Sequence, residues 1–296
     1  MNLQAWWIAF RPNTLIVSIA PVFLGLALTY NSSQHNVNWL IGSLTLMAAI
    51  LIQIGTNLIN DLYDFINGAD DENRLGPMRA TQSGLLSKKQ VNRGAFLSFF
   101  FALLIGFYLV YEGGIPILLI GLFSLVSGYC YTAGPYPLGY NGFGDIFVFI
   151  FFGLIAVPGT YYLQTSIYTI ESILIGSSIG FIAVAILCVN NIRDIKSDKK
   201  VGKKTLAVRF GSNSIIVLYD LMITLPYVAI GILFFSKNQN FFYDATLSLI
   251  LLSMPMAINL IIDIHRKKNH ELNKVLIKTT IFMRVFFILL MIGIIL

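Results

Sequence analysis

Apolar residues run in blocks of roughly 20 separated by short polar breaks, near 13–30, 39–59, 93–110, 115–131, 143–163, 172–190, 214–235, 244–262 and 277–296. A helix needs about 20 residues to cross a hydrocarbon core, so the pattern predicts nine membrane spans. No Gly/Ser linker or low-complexity stretch divides them, and residues 1–296 read as one all-α, polytopic membrane domain. The first block follows Arg11-Pro12 in the manner of a leader peptide. It lacks a small-residue cleavage site, and its removal would spoil the nine-span parity, so it reads as a span.

Two predicted spans carry polar side chains in place of apolar ones. On a helix turning 100° per residue, Gln53, Asn57, Asn60, Asp61 and Asp64 fall within an arc of roughly 100°, so a polar stripe descends from the end of the second span into the membrane. A solvated helix end explains Asp64, but Gln53 lies about 16 Å deeper at 1.5 Å per residue. Carboxylates near a span centre cost about 2.5–3.5 kcal/mol each on insertion scales, so such a stripe faces a cavity, a partner or an ion. The sixth span closes with Asn190, Asp194 and Asp198 at i, i+4 and i+8, which stacks three oxygen-bearing side chains on one helical face. Like charges at that spacing repel unless a cation lies between them. Hard oxygens suit Mg2+, which takes one or two carboxylates together with phosphate oxygens. The two ends also match as a weak repeat, Asn60-Asp61-Leu62-Tyr63-Asp64 and Asn190-Asn191-Ile192-Arg193-Asp194, four spans apart. Two four-helix halves related by a pseudo-symmetry axis would bring these ends face to face.

Composition changes the picture in one respect, the class of protein. Of 296 residues, 56% are hydrophobic and 11% charged, against roughly 25% charged in soluble proteins, which excludes an ordinary soluble enzyme. The net charge of +6 suggests a nucleic-acid partner only until its sources are placed. Of the 20 Lys and Arg, 18 fall in the amino-terminal segment and the loops after the second, sixth and eighth spans, with Lys237 opposite and Arg284 inside the last span. By the positive-inside rule these loops and the amino terminus are cytoplasmic and the carboxyl terminus is outside. The charge is thus a topology signal, and no nucleic acid is expected. Cys130 and Cys188 have no CxxC or Cys/His context, and His35, His265 and His270 have no ligand spacing.

Because topology alone would fill those loops with Lys and Arg, position decides which bases matter. Arg74 and Arg79 flank a rigid Gly76-Pro77 turn beside the first acidic motif, and Arg193, Lys203 and Lys204 stand beside the second. Arginine can grip a diphosphate in bidentate fashion. The uncharged loop after the fourth span holds Tyr129, Tyr131, Tyr136 and Tyr140. Tyr131, nearest the helix end, is the candidate for cation-π contact with an allylic cation, while Tyr136 and Tyr140 read as an interfacial aromatic belt. Asp145 reads equally as a polar group near the site and as an acid favoured at a helix start. Arg284, about 10 Å into the last span, is within snorkelling reach of the cytoplasmic interface.

Three stretches extend these motifs. They are Asn60-Asp61 with Asp64, Gly68 and Asp70, followed by Gly76-Pro77-Met78-Arg79 and Gln82-Ser83-Gly84; Tyr131-Thr132-Ala133-Gly134-Pro135 with Pro137-Leu138-Gly139; and Asn190-Asn191-Ile192-Arg193-Asp194 through Asp198 to Gly202-Lys203-Lys204-Thr205-Leu206-Ala207-Val208. Together they resemble the UbiA superfamily of intramembrane aromatic prenyltransferases over nearly the whole chain. Gly68 stands where the general pattern has a third acid, with Asp70 two residues later, a shift that resembles the naphthoate branch and not the 4-hydroxybenzoate branch. The resemblance implies a UbiA-type helical bundle in the cell membrane. It also implies Mg2+-dependent transfer of a polyprenyl chain from polyprenyl diphosphate to 1,4-dihydroxy-2-naphthoate, with loss of the acceptor's carboxyl group, at the cytoplasmic face. Membrane lipid would surround the prenyl tail. Carried over to this sequence, Asp64, Asp194 and Asp198, with Asn60 and Asn190, form the metal and catalytic set, with Asp61 and Asp70 as further metal candidates. Arg74, Arg79, Arg193 and Lys203 would meet the diphosphate, and Tyr131 the allylic cation. Within the class the alternatives are other acceptors, 4-hydroxybenzoate or homogentisate; outside it, the alternative is a secondary transporter built from repeats.

Overall fold

Every regular element among the residues that the computed structural model describes, 3–32, 36–71, 74–236 and 248–296, is helical. Lys237, His35 and the first residues of the eighth predicted span lie outside them. The chain starts with a short helix α1 (Leu3–Phe10), turns at Arg11 in the left-handed region (φ 54°), and enters α2 (Pro12–Asn31) with Pro12 at the first helical position, where proline's missing N–H costs nothing. Asn38 caps α3 (Trp39–Ile66) by accepting from the N–H groups of Leu40 and Ile41. A Ser87/Gln90 capping box opens α4 (Lys88–Cys130).

Among the described residues, eight helical segments are long and apolar enough to cross a membrane, against nine predicted. The difference lies in α4, where the third and fourth blocks join into one hydrogen-bonded run of 43 residues. At 1.5 Å per residue a straight helix of that length would extend about 65 Å, twice a hydrocarbon core. It is not straight. Gly114 has φ 67° and ψ −155°, with Pro116 two residues on, a conformation open to glycine for lack of a Cβ. The two arms on either side of Gly114 correspond to the two predicted spans.

The next span joins α5 (Gly144–Phe149) to α6 (Ala156–Thr165) through a π-helical turn at Ile150–Ile155. Then come α7 (Ile170–Arg193), the short α8 (Ile195–Lys200) and α9 (Leu206–Ser236). A 3-10 turn, Ser248–Ser253, leads into α10 (Met254–Arg266), and α11 (Leu272–Ile295) closes the bundle.

α7 is the axis of the molecule. Its Ile175, Ile179 and Ile182 are fully buried against Leu24 of α2, Tyr219 and Ile223 of α9, and Phe282 and Phe286 of α11. By contrast Phe96, Phe100 and Leu119 on α4 point outward, as lipid-facing side chains do. Because lipid is as apolar as a protein core, close backbone approach through small residues holds membrane helices together. The π-helical turn meets α7 this way: a Cβ on Gly176 would fall 2.2 Å from the carbonyl oxygen of Gly153. That contact fixes the junction of α5 and α6, and with it one wall of the cavity described next.

Candidate functional site

The polar stripe of α3 lies on the wall of a cavity of about 1120 Å³. Charged side chains from the ends of α3 and α7 and the loops after them line its mouth, while Leu103, Phe107 and Leu118 of α4 line its apolar depth. Asn67 ends α3 and Gly68 follows at φ 76°. The N–H groups of Ala69 and Asp70 then return to the carbonyl oxygen of Asp64 at 2.8 and 3.2 Å, a glycine-based helix stop. This turn carries Asp70 off the helical face. It sits instead between two bases, paired with Arg74 and 3.1 Å from Nε of Arg79.

Asn60 is the centre of the first motif. Its Oδ1 accepts from Arg11 Nη2 at 2.8 Å and Arg79 Nη2 at 3.3 Å, and its Nδ2 donates to Asp64 Oδ2 at 2.8 Å and Thr132 Oγ1 at 3.2 Å. Asp64 Oδ1 accepts from the Tyr140 hydroxyl at 2.9 Å and lies 3.7 Å from the Lys203 ammonium. The same ammonium stands 3.5 Å from Asp198 Oδ1. The two motifs therefore meet on a single cation.

The second motif departs from an uninterrupted helix. Asp194 bends the backbone (φ −96°, ψ 8°), ending α7, and α8 restarts at Ile195. The helical bonds from Asp194 N to Asn190 O (3.0 Å) and from Asp198 N to Asp194 O (2.9 Å) persist, so the spacing of four survives the bend. Arg193 grips Asp194 in bidentate fashion at 2.8 and 2.7 Å. It is held in turn by Asn273 Oδ1 at 2.9 Å, whose amide reaches Leu75 O at 2.8 Å. Asn190 Nδ2 donates to Ile186 O at 3.2 Å.

Burial sets the electrostatics. It lowers Arg74 to about 10 and lowers Arg11 as well, against the pull of nearby carboxylates. For Lys203 burial also acts downward, but Asp64, Asp198 and Asp194 outweigh it and the net shift is upward. Burial raises Asp198 to about 6, with Lys203 opposing. The phenols of Tyr131 and Tyr140 are raised by burial first and then by Asp145 and Asp64 respectively, so both stay neutral.

Among the described residues, no three His, Cys, Asp or Glu side chains converge as a preformed metal centre. The acids contact bases instead, with Lys203 between Asp64 and Asp198 and Arg193 on Asp194. A pair of hard carboxylates already accommodating a cation fits Mg2+, which completes its shell with water and phosphate oxygens.

Of the residues singled out from the sequence, Asn60, Asp64 and Asp70 line the cavity, as do Asn190, Asp194 and Asp198. So do Arg74, Arg79, Arg193, Lys203 and Tyr131. Asp61 does not. At the edge of the projected arc, it is buried off the wall, near Arg11 and the backbone of residues 80–81. Lys204 also stays off the wall, its N–H bonded to Tyr140 O, and Asp71 pairs with Lys200 at 3.1 Å. Two contributors are unexpected. Arg11, read as a topology charge, reaches Asn60 from the left-handed turn before α2. Tyr140, read as part of an aromatic belt, binds Asp64 and lies under the Lys203 ammonium at 5.0 Å. Only the Pro at position 12, which fixes where α2 begins, hints at Arg11 in the sequence; nothing periodic marks Tyr140.

The UbiA prenyltransferase family model matches residues 18–295. The chain is 41% identical over 217 residues to the 1,4-dihydroxy-2-naphthoate octaprenyltransferase of Haemophilus influenzae, covering 71% of this chain and 70% of that protein. It is 37% identical over 214 residues to the protein of the same name in Escherichia coli, covering 70% of this chain and 69% of that protein. A UbiA homolog from Archaeoglobus fulgidus, solved bound to DMAPP and Mg2+, shares the fold at a TM-score of 0.65 and 15% identity, over 96% of this chain and 98% of that one.

Proposed function

The chain belongs to the UbiA prenyltransferase family, and on that premise we propose that it moves a polyprenyl chain from polyprenyl diphosphate onto 1,4-dihydroxy-2-naphthoate, with loss of the acceptor's carboxyl group. One observation carries this reading: Asp64 and Asp198 of the two motifs meet on one cation at the polar mouth of a cavity with an apolar depth. A donor with an anionic head and a hydrocarbon tail needs that layout. The names of the relatives in H. influenzae and E. coli and the DMAPP and Mg2+ bound to the A. fulgidus homolog support it.

Asp64, Asp194 and Asp198, with Asn60 and Asn190, would hold Mg2+. An ion held there would supply neutralising charge for the leaving diphosphate. Arg11, Arg74, Arg79, Arg193 and Lys203 supply fixed donors to the diphosphate oxygens, and their attraction grows as the C1–O bond lengthens. Asp70 positions Arg74 and Arg79, and Asn273 positions Arg193. Tyr131 presents a neutral ring where the allylic cation develops. The apolar wall below keeps water from that cation until the electron-rich acceptor ring captures it. By the positive-inside rule the site faces the cytoplasm across the cell membrane, with the amino terminus on that side and the carboxyl terminus outside.

The test is to incubate the purified protein in lipid vesicles with polyprenyl diphosphate and 1,4-dihydroxy-2-naphthoate and follow products by mass spectrometry. The expected result is prenylated naphthoquinol, diphosphate and CO2 in equal amounts, lost with EDTA and restored by Mg2+. Asp64→Ala and Asp194→Ala, inserted normally, give none. Product from 4-hydroxybenzoate but not from the naphthoate overturns the acceptor, and gradient-driven uptake without product restores the transporter.

A further inference from the structure

Asp145 is the second residue of α5 and lines the same cavity, apart from the two aspartate motifs. It contacts Cys188 of α7, six residues before Asp194 and so about 9 Å deeper along the helix. This puts Asp145 below the diphosphate-binding mouth, at the level where the carbon end of the C1–O bond and the acceptor ring would lie. The side chain is 6% exposed. No Lys, Arg or His pairs with it among the described residues, and the Cys188 thiol donates only from 4.0 Å. A buried intramembrane carboxylate without a basic partner is costly and marks function by default.

Its surroundings suit a flat, hydroxylated ring. The Tyr131 hydroxyl packs against Gly144, where a Cβ would come within 2.9 Å of it, so a neutral phenol sits beside the carboxylate. Two and six residues along, Phe147 and Phe151 line the cavity and pack on Phe123 at ring-centroid distances of 5.8 and 5.0 Å. An aromatic wall with one carboxylate and one phenol at its edge is a site for an aromatic acceptor whose hydroxyl points at Asp145.

We propose that Asp145 is the general base for the aromatic acceptor, a role that rests on the prenyltransferase reading above. Its carboxylate takes the proton of the hydroxyl next to the carboxyl-bearing ring carbon. The C1–O bond of the donor has by then broken, its electrons leaving with diphosphate; the electron pair freed on the acceptor oxygen passes into the ring, and that carbon bonds to C1 of the allylic cation. The ring then holds a ketone beside a carbon bearing both prenyl and carboxylate. Loss of CO2 returns its bonding electrons to the ketone oxygen, which recovers the proton from Asp145. The naphthoate and the donor become prenylated naphthoquinol, CO2 and diphosphate, with no net proton and no oxidant required.

The test separates the donor half from the acceptor half. Wild type and Asp145→Asn are given a donor labelled with 18O at the bridging oxygen, and scrambling of the label without acceptor reports reversible C1–O cleavage. With 1,4-dihydroxy-2-naphthoate added, product reports capture. Asp145→Asn is expected to scramble label at the wild-type rate, with an unchanged KM for donor and a kcat for product lower by about 100-fold or more. Asp145→Glu recovers part of the loss. Formate added to Asp145→Ala recovers at least about tenfold, as a small carboxylate replaces the missing base. A kcat for Asp145→Asn within about threefold of wild type overturns the proposal, as does parallel loss of scrambling and product without formate rescue, which is a structural defect. Absence of naphthoquinol from wild type overturns the functional reading and the base with it, whereas wild-type product with an indifferent Asp145→Asn overturns the base alone.

Discussion

Asp64 and Asp198 come from different repeats and share the ammonium of Lys203, at 3.7 and 3.5 Å, with exposures of only 3% and 4%. Two buried carboxylates around one cation hold together only while that cation, or one of higher charge, stays with them. Asp198 reports the tension: burial, then Asp194 and Asp64, lift it to about 6 against Lys203. The sign of the pH dependence follows. Above about 6 the carboxylate is ionised and available to a metal; below it a proton competes, and apparent Mg2+ affinity falls by up to about tenfold per pH unit. The Mg2+ concentration giving half-maximal prenyl transfer, measured between about pH 5 and pH 8, is expected to climb steeply on the acid side. Asp198→Asn flattens that climb and needs more Mg2+ throughout. A wild-type value that does not change with pH removes Asp198 from the metal set. At this scale the acids were the legible part of the sequence, because a carboxylate inside an apolar block has few inexpensive explanations. Arg11 and Tyr140 were not. The positive-inside rule and the aromatic belt account for their presence without geometry, and only the left-handed turn at Arg11 and the 131–143 loop, folded over the end of α3, bring them to Asn60 and Asp64.

Elements are positioned by glycine where backbones touch. A Cβ on Gly176 would meet the carbonyl oxygen of Gly153 at 2.2 Å, and one on Gly180 would meet the Gly153 Cα at 2.5 Å. Both obstacles are backbone and cannot swing aside. Gly176→Ala therefore pushes the π-helical turn off α7 and costs about 1–3 kcal/mol. Gly231→Ala is the control, since a Cβ there meets nothing within 4 Å and alanine favours a helix. Thermal unfolding in detergent is expected to show a lower midpoint for Gly176→Ala and an unchanged or higher one for Gly231→Ala. Equal midpoints would contradict the close approach. The spans themselves are legible from apolar run length, and even the joined α4 divides at Gly114 where the pattern divides it, because no bilayer accommodates a straight helix of 43 residues. Element ends are less legible, because a 3.6-residue projection carries no information about the loop packed on the far side. It sweeps Asp61 into the stripe although Asp61 does not line the cavity, and it runs 190–198 as one helix although Asp194 bends.

Across the whole molecule the cavity joins two environments, a charged mouth and an apolar shaft bounded by both arms of α4. This geometry makes donor length a property of depth. Gly121 and Gly106 both line the shaft, and a Cβ on either meets nothing within 4 Å, so each can carry a large side chain into the open space. They lie at one level. A Cβ on Gly128 of the second arm would meet Phe99 of the first and Thr56 of α3, and Gly106 and Gly121 are each seven residues from that contact along their own arms, hence about 10 Å deeper. If the prenyl tail threads the shaft, Gly106→Phe and Gly121→Phe block it at the same distance from the diphosphate. With donors of increasing length, both variants are expected to lose activity at the same chain length. Both should keep wild-type kcat on the shortest donor, since neither touches the charged mouth. A shared cutoff places the tail in the shaft. The absence of a cutoff in either variant places it along the lipid-facing surface, where the cavity volume has no say in which donor is used.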